Sequence, residues 1–285
     1  MAETSIPLSP AELAAYREEA AEFARLGGAV LRRMFGAGIE ARFKTSARDL
    51  VTEADLTSER VILAAIQERH PDHGWQSEEA GASPLTTRFR WVVDPLDGTA
   101  NFAHGYPQFC VSVALMEGPR SIAGAIFDPL RDECFSAAWD GGADLNGVPI
   151  HVSRVADLGG ALVSTGFPYE PPARRTAWAN LTARTVERVQ MMRRGGAAAL
   201  DCAYVAAGRA EAHFEFYLSL HDIAAGMLIV REAGGLSREM VYQDWPLGHI
   251  ITNGQPVLDG LTDILTTFFG AVEIRPAAPV ADEAG

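Results

Sequence analysis

The sequence predicts an α/β (α+β) protein with helices and strands in both halves of the chain. Its 285 residues are 48% hydrophobic, which supplies a core for one large domain or two smaller ones. Segments with helical spacing alternate with short apolar runs bounded by Gly and Pro, and no repeat has a fixed period. The pattern of apolar and helix-forming segments changes near residue 150, so we expect subdomains over 1–150 and 151–270 and a mobile tail over 271–285.

The N-terminal half begins with a well-marked helix. Ser9, Pro10 and Glu12 form a capping-box pattern, and apolar residues then follow at helical spacing as far as Met34. A second helix is predicted over residues 57–69, because Pro71 ends it. Apolar runs predict strands at 90–93, 109–116 and 121–128.

The C-terminal half alternates strand and helix after Gly159-Gly160. Extended segments are predicted at 161–164 and 211–217, and helices at 178–189, 196–207 and 222–233. The last helix ends at Gly234-Gly235, a typical C-terminal stop.

The formal net charge is −13, which argues against broad contact with duplex nucleic acid but not against a small phosphorylated ligand. Cys110, Cys134 and Cys202 are odd in number and far apart, so neither a disulfide framework nor a zinc knuckle is predicted. The N-terminus resembles no signal peptide, and no run approaches the about 18 apolar residues of a membrane span. We expect a cytoplasmic protein without a membrane partner.

Acidic residues concentrate in four segments: Asp49 to Asp55, Glu78-Glu79, Asp94 to Thr99, and His221-Asp222. Taken singly, three of them have simple structural explanations. Glu78-Glu79 is typical of a solvated loop, while Asp222 and the first segment are typical of helix caps.

The segment Asp94-Pro95-Leu96-Asp97-Gly98-Thr99 is more specific. An apolar strand leads into it, and two acids three positions apart flank a turn fixed by Pro95. Such carboxylates can converge on one cation, while backbone N–H groups of Gly98 and Thr99 can hold an anion. Carboxylates on one side and phosphate oxygens on the other are the usual surroundings of Mg²⁺.

Residues 91–102 (WVVDPLDGTANF) resemble the first signature of the inositol monophosphatase family. Residues 220–226 (LHDIAAG), followed by EAGG at 232–235, resemble the second. The order of the other parts is also similar: Lys44, Asp49 to Asp55, Glu78-Glu79, and the segment 196–208. The resemblance spans about residues 10–270 and implies a layered αβαβα sandwich of the inositol monophosphatase and fructose-1,6-bisphosphatase type. It also implies a large, mainly antiparallel N-terminal sheet, a smaller C-terminal sheet, and a homodimer.

The resemblance also implies roles for individual residues. Metal would be held by Glu78, Asp94, the Leu96 carbonyl, Asp97 and Asp222, most of them in the N-terminal subdomain. Asp55 and Thr99 would orient and deprotonate the attacking water, and Glu78 would share in catalysis by bridging metals. Substrate would contact Asp97, Gly98, Thr99, Glu215, Asp222 and the backbone of Gly196, Ala197 and Ala198.

The implied activity is hydrolysis of inositol 1-phosphate, or a similar small polyol phosphate, by a metal-activated water with two or three Mg²⁺ ions and inhibition by lithium. Histidinol phosphate, fructose 1,6-bisphosphate and 3′-phosphoadenosine 5′-phosphate are alternative substrates. A non-catalytic dimeric partner protein is the alternative outside enzymes, although its site would be expected to lose some of these acids.

One position departs from the family pattern, because His221 stands where Trp usually precedes the second-signature Asp. His221 either packs neutrally or reshapes the cleft wall, and an oxygen-built site gives it little reason to bind metal. Arg193-Arg194 is open to two interpretations, contact with an anionic substrate group or a surface and dimer contact.

Overall fold

The computed structural model describes residues 7–36, 41–43, 50–84, 87–167, 172–243 and 245–277. Within them the helices are α1 (Pro10–Met34), α2 (Glu53–Arg69), α3 (Thr99–Ala103), α4 (Pro172–Val186), α5 (Ala198–Ala206), α6 (Leu220–Glu232) and α7 (Gln255–Phe269). The strands of the N-terminal half are β1 (Ala41–Phe43), β2 (Leu50–Thr52), β3 (Gly74–Ser77), β4 (Gly81–Ala82), β5 (Phe89–Asp97), β6 (Cys110–Glu117), β7 (Arg120–Asp128), β8 (Glu133–Ala138), β9 (Ala143–Leu145) and β10 (Val148–Pro149). Those of the C-terminal half are β11 (Leu162–Thr165), β12 (Met191–Arg193), β13 (Ala212–Phe216), β14 (Leu236–Val241), β15 (Gly248–Thr252) and β16 (Glu273–Pro276).

Two large sheets organise these elements. The first has eight strands in the order β10-β9-β8-β7-β6-β5-β3-β4, and β3 with β5 is its one parallel pair within the described residues. The second has six strands in the order β12-β11-β13-β15-β14-β16, where β11 runs parallel to both its neighbours. The larger sheet ends at Pro149 and the smaller one begins at Leu162. The large, mainly antiparallel N-terminal sheet and the smaller C-terminal sheet are thereby confirmed.

Three hydrophobic cores separate the layers. One joins α1 and α2 to one face of the eight-stranded sheet, and a second joins its opposite face to α5 and α6. The alternation is visible on β5, where Val93 belongs to the first core and Val92 to the second. The third core joins the six-stranded sheet to α4 and α7. The order of layers is αβαβα, which confirms the predicted sandwich.

Some element boundaries agree with the sequence predictions and others differ from them. The capping box of α1 forms as predicted, with the Ser9 and Glu12 side chains each bonding the other's backbone N–H. The second helix begins at Glu53 rather than at Thr57, because Thr52 caps it and Asp55 completes a second capping box. The strand predicted at 90–93 continues to Asp97.

The predicted mobile tail over 271–285 needs a correction. Residues Glu273–Pro276 form β16, which pairs antiparallel with β14 at the edge of the six-stranded sheet. Arg275 donates a hydrogen bond of 2.7 Å to Glu239, whose carboxylate is buried. This pairing satisfies backbone groups of an edge strand, so these four residues belong to the sheet. Residues 278–285 lie outside the described part of the chain.

Candidate functional site

The end of β5 carries two of the predicted site residues on an irregular strand. Its register with β6 shifts between Asp94 and Asp97, and a bulge of this kind re-aims side chains. The backbone N–H of Leu96 donates to Asp94 Oδ1 at 3.0 Å, and Ser58 Oγ donates to the carbonyl of Pro95 at 2.8 Å. The predicted turn is therefore a bulged strand end, fixed from two sides.

Four acids converge around this bulge. Oxygen atoms of Asp94, Asp97 and Asp222 lie within 4.8 Å of one another. Ligand atoms of Glu78, Asp94 and His221 satisfy the same limit, so Asp94 is common to both groups. Residues from β5, from the turn after β3 and from the first turn of α6 thus meet at one place, although they are as many as 144 positions apart.

The electrostatics of the cluster favour a bound cation. Burial raises the pKa of Asp94 well above its usual range, and repulsion from Glu78, Asp97 and Asp222 adds to the effect. Burial, followed by repulsion from Asp222, raises the pKa of Asp97 to about 7. These groups resist ionising together because their charges are close and poorly hydrated. A cation among them removes that penalty, and the carboxylate oxygens of the cluster suit a hard dication such as Mg²⁺.

His221 lies closer to the acids than the sequence suggests. One of its ring nitrogens belongs to the group with Glu78 and Asp94, although the sequence analysis gave it little reason to bind metal. Its Nε2 also lies 2.8 Å from the hydroxyl of Ser219. The position that departs from the family pattern therefore lies beside the acid cluster.

Asp55 and Thr99 form a hydrogen-bonded pair beside the acid cluster. Thr99 Oγ1 lies 2.9 Å from Asp55 Oδ1 and 3.1 Å from the carbonyl oxygen of Leu96, and it can donate to either. The other oxygen of Asp55 accepts from the backbone N–H and the hydroxyl of Thr52, at 2.8 and 2.6 Å. Burial raises the pKa of Asp55, while these hydrogen bonds from Thr52 and Thr99 oppose the rise.

Asp222 is held in the same way as Asp55. It is the third residue of α6, and its Oδ2 accepts from the backbone N–H and the hydroxyl of Ser219, at 2.6 and 2.7 Å. The helix-cap interpretation is therefore correct in kind, although Ser219 rather than Asp222 occupies the N-cap position. A capping box fixes one oxygen and leaves the other available to a ligand.

The segment 196–198 lies against Asp97 and α3. Asp97 Oδ2 accepts a hydrogen bond of 2.7 Å from the backbone N–H of Ala199. Asn101 donates to the carbonyl of Gly195 at 2.9 Å and also reaches that of Gly196. Gly98 has φ = 96°, and a Cβ there would lie 2.9 Å from the carbonyl oxygen of Gln108, so this close packing requires glycine.

Glu215 lies on β13. Its carboxylate packs directly on Gly166, where a Cβ would overlap it. Burial raises its pKa well above the usual range, and repulsion from Asp201, Asp222 and Asp97 acts in the same direction. Glu215 thus belongs electrostatically to the same acidic region as the residues on β5 and α6.

Glu59 is a contributor that the sequence analysis missed. This buried α2 residue accepts three hydrogen bonds at Oε1, from the Ser77 hydroxyl at 2.5 Å and from the backbone N–H groups of Glu79 and Ala80 at 3.1 and 2.9 Å. The turn that carries Glu78 is therefore fixed from behind by another acid. An acid on the apolar side of a helix was the available signal, because such a residue is rarely buried unless paired.

The structure brings together the predicted residues Asp55, Glu78, Asp94, Leu96, Asp97, Gly98, Thr99 and Asp222 with the 196–198 segment and Glu215. Arg194 is exposed and lies over the ring of Phe167, 5.9 Å from its centroid. Lys44 and Asp49 lie outside the described residues.

Comparisons with known proteins point to one family. A family model described as "Inositol monophosphatase family" matches residues 12–262. Inositol-1-monophosphatase of Synechocystis is 40% identical over 229 residues, covering 80% of both chains. Nus factor SuhB of Xylella fastidiosa is 43% identical over 190 residues, covering 67% of this chain and 69% of that one. A solved inositol monophosphatase from Anabaena shares 35% identity with this chain at a TM-score of 0.77, and the match covers 90% of this chain and 97% of that one.

None of the helices in the described part of the chain has the length and apolar character that a membrane crossing needs.

Proposed function

Because the chain belongs to the inositol monophosphatase family, we propose that it is a Mg²⁺-dependent phosphomonoesterase. Its substrate is inositol 1-phosphate or a similar small polyol phosphate, which it hydrolyses to the free alcohol and phosphate. The observation that carries this proposal is the convergence of Asp94, Asp97 and Asp222 within 4.8 Å, with Asp94 shared by a second group that contains Glu78 and His221. Two groups with a common member are what adjacent cation positions require.

The residues that would hold Mg²⁺ are Glu78, Asp94, Asp97, Asp222 and the carbonyl of Leu96, for two or three ions in total. Burial and mutual repulsion raise the pKa values of Asp94 and Asp97, and a bound cation would offset both effects. When bound, Mg²⁺ supplies charge stabilisation for the phosphate and promotes formation of hydroxide near neutral pH. Lithium sensitivity follows if lithium competes for one of these positions.

Thr99 and Asp55 would prepare the attacking water. When the Thr99 hydroxyl donates to Asp55 at 2.9 Å, its oxygen is left as an acceptor for a proton of the water. Asp55 is fully buried and held by Thr52, so the pair keeps its orientation. Glu78 would take part in catalysis as a ligand of the metal.

The substrate would lie between the bulge and the C-terminal layer. Backbone N–H groups of Gly98 and Thr99 would hold the phosphate, while Glu215 and the 196–198 backbone would meet the hydroxyls of the alcohol. A carboxylate can accept from vicinal hydroxyls, which favours a polyol. Asp97 and Asp222 would contact both the phosphate and the alcohol part of the substrate.

A homodimer is part of the proposal and would be tested by sedimentation.

The leaving alcohol is tested with four esters: inositol 1-phosphate, histidinol phosphate, fructose 1,6-bisphosphate and 3′-phosphoadenosine 5′-phosphate. Phosphate release is measured with Mg²⁺ and with EDTA. We expect metal-dependent release, fastest from inositol 1-phosphate. Faster release from another ester would reassign the substrate, and release that persists in EDTA would refute the metal mechanism.

A second candidate function is that of a partner protein. It is favoured by the name Nus factor SuhB, which relatives 40–43% identical to this chain carry. No metal-dependent release from any of the four esters would favour this role. Retention of all the acids of the cluster in one geometry supports the enzyme instead.

A further inference from the structure

A buried histidine lies directly behind Glu215. His213 is two positions earlier on β13, so its side chain is on the same face of the sheet. It is 0% exposed, and its Nε2 lies 3.5 Å from Glu215 Oε2. That nitrogen has no hydrogen-bond partner at normal geometry within the described chain. A buried polar atom without a hydrogen-bond partner destabilises the fold. The position of His213 Nε2 beside the Glu215 carboxylate therefore indicates a role for this pair.

The other side of the ring is held by neighbouring elements. Ser164 Oγ on β11 lies 3.0 Å from Nδ1, and Asp201 Oδ2 on α5 lies 3.7 Å from it. Burial, with repulsion from His249 on β15, lowers the pKa of His213 to about 3, so the imidazole is neutral at pH 7. A neutral imidazole carries one N–H. Ser164 Oγ can donate to Nδ1 or, at 3.4 Å, to the carbonyl of Ala212. When it donates to Nδ1, the N–H is at Nε2, the ring nitrogen that lies 3.5 Å from Glu215.

We propose that His213 is a positioning residue that orients Glu215 toward the hydroxyl groups of the substrate alcohol. The Nε2–H holds one carboxylate oxygen from the protein side, and the second oxygen then accepts from the substrate. Gly166 keeps the carboxylate in this place, because any side chain there would displace it. The inference rests on the proposed function and deepens it: His213 contributes to binding of esters whose alcohol carries hydroxyls, not to hydrolysis itself.

The consequence is a difference between two substrates. Inositol 1-phosphate offers hydroxyls to Glu215, whereas phenyl phosphate has the same phosphate and none. His213→Phe keeps a planar ring but removes the N–H. It should raise KM for inositol 1-phosphate about tenfold, near the value of one hydrogen bond to a charged group. KM for phenyl phosphate and kcat for both esters should stay within about twofold.

Two further variants separate positioning from general damage to the fold. His213→Gln places an amide donor near the position of Nε2 and should restore most of the lost affinity. Ser164→Ala frees the ring with a smaller change in the core, and we expect a milder increase in KM, again confined to inositol 1-phosphate. It provides the test if His213→Phe does not fold.

The inference is overturned if His213→Phe leaves KM for inositol 1-phosphate unchanged, or if it weakens both esters equally. Additive effects of His213→Phe and Glu215→Ala on that KM would also overturn it, because residues that act through each other are non-additive. Wild-type protein that hydrolyses neither ester would instead refute the proposed function.

Discussion

Removal of Mg²⁺ should make the stability of the fold depend on pH through Asp97. Burial and the charge of Asp222 raise the pKa of Asp97 from 3.8 to about 7. In the unfolded chain this carboxyl returns to its ordinary value. Between these pKa values the folded state binds more protons than the unfolded state, so the free energy of unfolding decreases as pH rises. The stabilisation is fully present below about pH 4 and is lost as pH passes through 7.

The magnitude follows from the same two pKa values. The difference between these pKa values corresponds to about 4 kcal/mol, of which roughly half falls between pH 5 and pH 7.5. The assay is urea unfolding in EDTA at these two pH values, for wild type and Asp97→Asn. The amide keeps an acceptor for the N–H of Ala199, which donates to Asp97 at 2.7 Å, but it does not titrate.

Wild type should lose about 2–3 kcal/mol more than Asp97→Asn between pH 5 and pH 7.5. Saturating Mg²⁺ should remove most of this difference, because the cation replaces the proton. The reasoning is refuted if both proteins show the same pH dependence in EDTA. It is also refuted if wild type gains stability relative to the variant as pH rises.

Three other substitutions test separate parts of the site. Thr99→Ala should lower kcat by about a hundredfold or more while leaving Mg²⁺ affinity nearly unchanged; equal losses of both would contradict a role in preparing water. Glu59→Ala should weaken Mg²⁺ binding about tenfold in calorimetry, because the turn bearing Glu78 loses three hydrogen bonds. The control Glu68→Ala, at an exposed position of the same helix, should have no effect. Gly98→Ala should lower the free energy of unfolding by about 1–3 kcal/mol in urea titrations, because φ is 96° there and Gln108 leaves no space for a methyl group. Unchanged stability would contradict that packing.

Much of the fold was predictable because local signals and layer architecture agree. The capping box at Ser9 and the apolar run before Asp94 predict elements that the structure confirms. The predicted start of α2 is four residues too late, because the cap expected in this segment is the Thr52–Asp55 capping box, which lies earlier than a cap just before Thr57 would. The strand pairing of Glu273–Pro276 was missed, since a four-residue edge strand rich in charge and Pro has no clear pattern of its own.

The residues of the site also fall into two sets, those that the sequence identifies and those that it does not. The motif at 94–99 points to Asp94 and Asp97 through its residue types and spacing, whereas the role of Asp222 follows from the family resemblance. Their support is not visible in the sequence, since Glu59 and His213 act through contacts made only after folding. Glu59 meets the turn after β3 across 18 positions, and His213 meets Ser164 across 49. Such contacts depend on layer packing, for which local periodicity carries no information.

The central claim is that the converging acids hold the metal on which phosphate release depends. Asp94 belongs to both groups of ligands, so Asp94→Asn tests it most directly, with the exposed Asp72→Asn as the matched control. Phosphate release from inositol 1-phosphate and calorimetric Mg²⁺ binding are measured on the same preparations. We predict that Asp94→Asn keeps the circular dichroism spectrum of wild type but loses phosphate release and binds Mg²⁺ more weakly, while Asp72→Asn behaves as wild type. Full phosphate release by Asp94→Asn would contradict the account.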